Sequence, residues 1–267
     1  MIDIQSEEDT RNVPLEKVGV RNLSYPVQVL DKRHKTQATT AAVDLFVNLP
    51  HRYKGTHMSR FIEIFHKHCK NLTMNHFLEM LEEIRGRLDA QHAYGIMRFP
   101  FFMEKTAPVS GAAGVMRYDC TYEGSVGADG RQFFVSVEVP VTTVCPCSKA
   151  ISDYGAHNQR GTVRVKVLYS GFFWIEDVIR MVEESASGGL YSVLKRSDEK
   201  FVTERAYDNP RFVEDVVREV YLGLRGFPVA SPFPWFSVEA ENFESIHNHN
   251  AYAYTEYGAR RAVQECR

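Results

Sequence analysis

Apolar and polar positions change period several times along the chain, and those changes predict its elements. YPVQVLDK (25–32) and TTAAVDLFVNLP (39–50) are rich in β-branched and aromatic residues and read as strands. SRFIEIFHKHCK (59–70) then sets Phe61, Ile64 and Phe65 at helical spacing. TMNHFLEMLEEIRGRLDA (73–90) carries a fuller stripe, Phe77, Leu78, Met80, Leu81 and Ile84, with Thr73 placed to cap it. AYGIMRFPFFMEK (93–105), GVMRYDCTYEGSV (114–126) and RQFFVSVEVPVTTV (131–144) return to strand character, the last two joined through the turn GADG (127–130).

The second half runs through the same order. GTVRVKVLYS (161–170) alternates as a strand, and WIEDVIRMVEESA (174–186) has Ile175, Val178, Ile179 and Val182 on one helical face. Pro210 opens a further helix, RFVEDVVREVYLGLR (211–225), before the strands WFSVEAENFES (235–245) and NAYAYTEYG (250–258). The layout is ββααββ twice, with an extra strand near the middle. It predicts an α+β chain of antiparallel sheets with helices packed on one face. The expected organisation is a loose polar arm over 1–24, a first unit over 25–130 and a second over 131–267.

Composition narrows the function classes. The chain has 267 residues, 44% hydrophobic and 25% charged, with a net charge of −2, so it can bury a sizeable core and lacks the basic surplus of a nucleic-acid binder. No apolar run reaches the length of a membrane span, and the start, MIDIQSEEDTRN, is too polar and acidic for a secretory signal, which points to the cytoplasm. Five cysteines, Cys69, Cys120, Cys145, Cys147 and Cys266, are too few and too odd for a disulfide framework. Cys69 and Cys120 read as small buried residues and Cys266 as part of a frayed end.

Candidate chemistry begins at TVCPCSKAISDYGAHNQR (143–160). Pro146 cannot continue the strand that Cys145 ends, and a turn through Gly155 can fold His157 back beside Cys145. Thiolate and imidazole together suit zinc or a similar first-row divalent ion. No partner C-x-x-C completes a structural zinc site, and C-P-C is not the redox spacing, so the incomplete set favours a catalytic ion with an open position. A third donor must come from elsewhere. KRSDEKFVTE (195–204) offers Glu199 and Glu204, although a charged stretch there is by itself a solvated loop. HKHC (66–69) sits at a helix end and reads as structural.

A second constellation is NFESIHNHNAYAY (242–254), where Glu244, His247 and His249 could move protons near neutral pH. HRYKGTHMSRF (51–61) brings His57 and Arg60 to a helix start, a place that suits phosphate, and Lys149 and Arg160 add cations beside the cysteines. The plainer reading is a solvated loop between two strands for 242–254 and a solvated basic turn for 51–61.

GTHMSRF (55–61), PVTTVCPCSKAISDYGAHNQR (140–160), SDEKFVTERAYDNPRFVEDVVR (197–218) and ENFESIHNHNAY (241–252) together resemble the type IB GTP cyclohydrolases, a prokaryotic family also called MptA-like. The resemblance covers most of the chain after residue 20, in order. It implies a tandem tunnelling fold, two ββααββ units per subunit, assembled as a homotetramer with active sites at subunit interfaces. It also implies conversion of GTP and water to formate and 7,8-dihydroneopterin triphosphate, the first committed step towards tetrahydrofolate.

Carried over by motif, the metal ligands would be Cys145, His157 and Glu199, holding zinc or manganese, with iron a third candidate. Cys147 would lie close by as a catalytic neighbour or alternative ligand. Glu214, in NPRFVEDV, is similar to the glutamate with which such enzymes hold a purine ring in a bidentate fork. His247 or His249 would protonate guanine N7 so that water can attack C8, with Glu244 orienting a histidine. His57, Arg60, Lys149 and Arg160 would hold the triphosphate. The rivals are a metal-free nitrile reductase with a nucleophilic cysteine, and a non-catalytic zinc-binding module.

Overall fold

A computed structural model describes residues 5, 7–51, 53–70 and 72–258; Cys266 lies outside them. The chain forms two compact units, residues 1–100 with 120–135, and residues 101–119 with 136–267. Three long strands, β3 (Ala93–Thr106), β4 (Ala113–Gly127) and β5 (Gly130–Val144), contribute residues to both.

In the first unit, β1 (Leu15–Asp31) pairs antiparallel with β2 (Lys35–Leu49), and the order continues β2-β3-β4-β5. Residues 15–24, expected in a loose arm, therefore belong to a strand. None of their side chains is buried, and two register shifts break the pattern, so the apolar alternation that marks a strand is missing. At the second shift Asn22 takes a positive φ of 56°, and its N–H donates to the buried Asp44 carboxylate at 2.8 Å.

Helices α1 (Met58–His68) and α2 (Met74–Arg87) follow β2, and Thr73 caps α2 by accepting from the His76 N–H at 3.2 Å. Phe77 of α2 packs edge-to-face with Tyr122 and Phe133 in the core. Gly124 leaves room for this ring and for Leu81, since a Cβ there would stand 2.9 Å from Leu81. The HKHC segment is structural: Tyr25 pairs with His66, His68 with Glu83, and the Cys69 thiol donates to the His66 carbonyl.

The second unit runs β3-β4-β5-β6-β8-β9, where β6 is Asn158–Leu168, β8 Phe236–Asn242 and β9 Ala251–Tyr257. A two-residue strand, β7 (Gly188–Gly189), adds to β5. Four helices belong here: α3 (Pro146–Ile151), α4 (Ile175–Ser185), α5 (Arg196–Asp208) and α6 (Val213–Arg225). Helices α4 and α6 are amphipathic and bury their valine-rich faces. Helix α5 occupies the charged stretch whose plain reading was a loop. It buries only Asp198 and Ala206, so no apolar stripe announces it. No helix among the described residues is long and apolar enough to cross a membrane.

Candidate active site

The site grows from the point where β5 ends. Pro146 lacks the N–H that a strand needs but suits the first turn of a helix, so the chain passes directly into α3 with Cys145 as its N-cap. The Cys145 sulfur accepts from the Ser148 N–H at 3.4 Å, and its carbonyl accepts from the Lys149 N–H at 3.1 Å. The Cys145 N–H donates to the His157 carbonyl at 3.1 Å, which makes the two residues neighbours across the β5–β6 connection. Gly155 turns that connection at φ +136°, a conformation other residues rarely adopt. The Ser148 hydroxyl then accepts from the His157 N–H at 3.3 Å. Cys145 and His157 are thus neighbours through their backbones.

Two further groups face the imidazole, and a third backs one of them. Gln159 is two residues along the strand and shares its face with His157. Its Oε1 lies 2.9 Å from His157 Nδ1, and its Nε2 donates to the buried Thr143 hydroxyl at 2.9 Å. Glu244 places Oε2 3.9 Å from the same Nδ1; the His157 and Glu244 side chains are 14% and 11% exposed. The loop after β8 delivers this carboxylate, pinned at its start by the Phe243 N–H donating to the Arg160 carbonyl at 2.9 Å. The histidine that Glu244 faces is therefore His157. Strand alternation was sufficient to find Gln159; nothing local in the sequence pointed to Thr143 or to the Glu244–His157 approach.

His247 and His249, farther along the same loop, are exposed and stack with ring centroids 5.0 Å apart. Cys147 is exposed on α3. Glu199, exposed in the first turn of α5, is not gathered with Cys145 and His157: among the described residues no three His, Cys, Asp or Glu side chains form a group able to hold an ion. The donor chemistry of a thiol and an imidazole fits a first-row divalent metal, and Cys145 and His157 could supply two donors of such a set. Glu204, the other carboxylate of that stretch, pairs with Lys200 at 2.9 Å.

The buried neighbour of Glu199, Asp198, holds this region in shape. Its carboxylate accepts from the N–H groups of Val109, Ser110 and Lys195 at 2.8, 2.9 and 2.8 Å and from the Ser110 hydroxyl at 2.6 Å. Burial opposes its charge, but these bonds outweigh burial and keep the carboxyl well below the usual carboxylate range.

Glu214 is exposed in the first turn of α6 and, with Tyr221 and Tyr254, lines a groove of about 440 Å³. Lys149 reaches the Tyr207 carbonyl and lies 4.2 Å over its ring. Arg160 opens on a separate cleft of about 720 Å³, lined also by Thr142, Val144, Asn158 and Arg205. By alternation the strand residues Thr142, Val144, Asn158 and Arg160 face away from Thr143, Gln159 and His157. One wall of the cleft is Glu183, which Lys105 meets with both carboxylate oxygens at 2.7 Å and to which the Tyr118 hydroxyl donates at 3.0 Å. Burial first, and the Glu183 charge second, push the Tyr118 hydroxyl well above its ordinary pKa, so it stays a neutral donor. His57 and Arg60 belong to the first unit, where His57 precedes α1 as its N-cap and Arg60 donates to the Arg87 carbonyl at 3.3 Å.

Known proteins resemble this chain in two ways. In fold it is similar to the uricase from Arthrobacter globiformis, with a TM-score of 0.54 at 8% identity over 94% of this chain and 96% of that one. It is also similar to the urate oxidase from Bacillus sp. TB-90, with a TM-score of 0.51 at 8% identity over 92% and 100%. At such identities the likeness concerns architecture alone. In sequence it is 55% identical to the GTP cyclohydrolase FolE2 of Syntrophus aciditrophicus, over 96% of this chain and 99% of that protein. It is 51% identical to the namesake from Geobacter sulfurreducens, over 98% and 100%. The profile of type I GTP cyclohydrolase FolE2 matches residues 1–253, and the chain belongs to that family.

Proposed function

We propose that this protein converts GTP and water to formate and 7,8-dihydroneopterin triphosphate, as a type IB, MptA-like enzyme at the entry to tetrahydrofolate synthesis. The observation that carries the reading is the Cys145–His157 pair, held by a backbone bond at 3.1 Å, with Glu244 3.9 Å from the imidazole. A thiol, an imidazole and a nearby carboxylate are the parts that metal-assisted hydrolysis needs.

Cys145 and His157 would hold a divalent ion, zinc, manganese or iron; Glu199, which a single subunit does not gather with them, would be the carboxylate donor if a subunit interface brings it in. When bound, such an ion lowers the pKa of water from about 15.7 towards 7. The remaining steps fall to side chains. His247 and His249, stacked and open to solvent, can protonate guanine N7 and later carry protons to the ring nitrogens as the imidazole ring opens. Glu214, with two acceptor oxygens at the rim of its groove, matches the N1–H and amino group of guanine. Cys147 stands in the turn after Cys145 as a neighbouring thiol. Arg160, His57, Arg60 and Lys149 are the proposed triphosphate contacts; Lys149 would have to leave Tyr207 to serve.

The architecture agrees with a tandem tunnelling fold, and the proposed state is a cytoplasmic homotetramer with shared active sites. Phe243, Ile246, Tyr252 and Tyr254, 48%, 63%, 59% and 50% exposed within one short stretch, supply apolar surface for assembly. Metal-depleted protein reloaded with zinc or with manganese should turn GTP into a product that fluoresces as a pterin after oxidation. A mixed sulfur, nitrogen and oxygen set admits both ions. Failure with every divalent ion tried would refute the assignment, and failure with manganese alone would refute the carboxylate-bearing set.

A further inference from the structure

We infer that Gln159 is a positioning residue that fixes His157 in its Nδ1–H tautomer and so leaves the Nε2 lone pair free to take an ion or a proton. Neutral imidazole carries one ring hydrogen, and its partners decide which nitrogen holds it. Two groups face Nδ1: Gln159 Oε1 at 2.9 Å and a Glu244 oxygen at 3.9 Å. A carboxylate only accepts. With Gln159 turned the other way, its amide would donate to Nδ1, and the Nδ1 lone pair would then point at the Glu244 charge. The orientation with the amide oxygen towards Nδ1 gives both groups the same proton to accept.

Thr143 backs the amide from behind; its hydroxyl can serve either orientation, so the choice is made on the Nδ1 side. Thr143 is fully buried, and its Oγ1 accepts from Gln159 Nε2 at 2.9 Å. Gln159 is itself buried, so no water competes readily for the amide. The relay runs Thr143, Gln159, His157 along one face of the β5–β6 ladder, which sets the ring plane as well as the proton. Partners of this kind on ligating histidines typically change metal affinity about 10–100-fold when removed.

The function of this relay rests on reading His157 as a metal ligand, but its test does not. In metal-free wild-type protein, ¹⁵N NMR of the neutral His157 ring should show a protonated Nδ1 and a bare Nε2. A proton on Nε2, or an even mixture, would overturn the inference, and this measurement needs no variant. Chelator competition for zinc then tests the consequence. Gln159→Leu should bind zinc about 10–100-fold more weakly, while Gln159→Glu, which still accepts from Nδ1–H and can take the Thr143 proton, should stay close to wild type. Equal zinc affinity in Gln159→Leu and wild type would also overturn it. Wild-type protein with the expected tautomer but no zinc affinity would instead sink the metal reading and leave the relay standing.

Discussion

Cys145 does two jobs with separate parts. Its backbone ties β5 to His157 and starts α3, while its sulfur is both a weak cap for Ser148 and the proposed soft donor. The two jobs can be separated. Cys145→Ser keeps the backbone bonds and a capping oxygen, since serine is a favoured N-cap, but removes the soft ligand. The variant should melt within a few degrees of metal-free wild type and lose most of its zinc affinity, measured by chelator competition. Undiminished zinc binding in Cys145→Ser would mean that the ion sits elsewhere. The same separation explains what was legible at this scale. A thiol at a strand end and an imidazole after a glycine turn can be paired from sequence, because a hairpin brings its two ends together. The Glu244 approach could not be read, because it depends on β8 lying beside β6 and carrying its loop to the far end of the same ladder.

Elements were legible where burial imposes a period. Helices α2, α4 and α6 bury continuous apolar faces, and their spacing in sequence marks them. Helix α3 has six residues and none is buried, and α5 buries two, so neither leaves a stripe to detect. What sets α5 is a capping contact: Asp198 accepts from the Lys195 N–H and also from the Val109 and Ser110 N–H groups of the β3–β4 turn. Asp198→Ala would strand those donors in a site where the carboxylate is wholly buried. The expected result is a melting temperature lower by several degrees. Faster amide exchange at Val109, Ser110 and Lys195 should accompany it, with Cys145 and His157 unaffected. Unchanged stability and exchange would show that α5 forms without this anchor, and the placement of Glu199 would then need another cause.

At the scale of the whole molecule, the second unit holds Cys145, His157, Glu199, Glu214, Glu244, His247 and His249, while His57 and Arg60 lie in the first. Among the described residues are a cysteine and a histidine joined by a backbone bond, with carboxylate and amide acceptors facing the imidazole, a stacked histidine pair on the same loop as Glu244, and a glutamate at a groove. Their joint use in opening a purine is the central claim, and carbon 8 is the atom that decides it. GTP labelled with ¹³C at that position, incubated with metal-loaded protein, should release all of its label as formate, one per pterin formed, and His157→Ala should release none above background. Label that remains in the nucleotide, or appears as formate at the same rate with His157→Ala, would contradict the account.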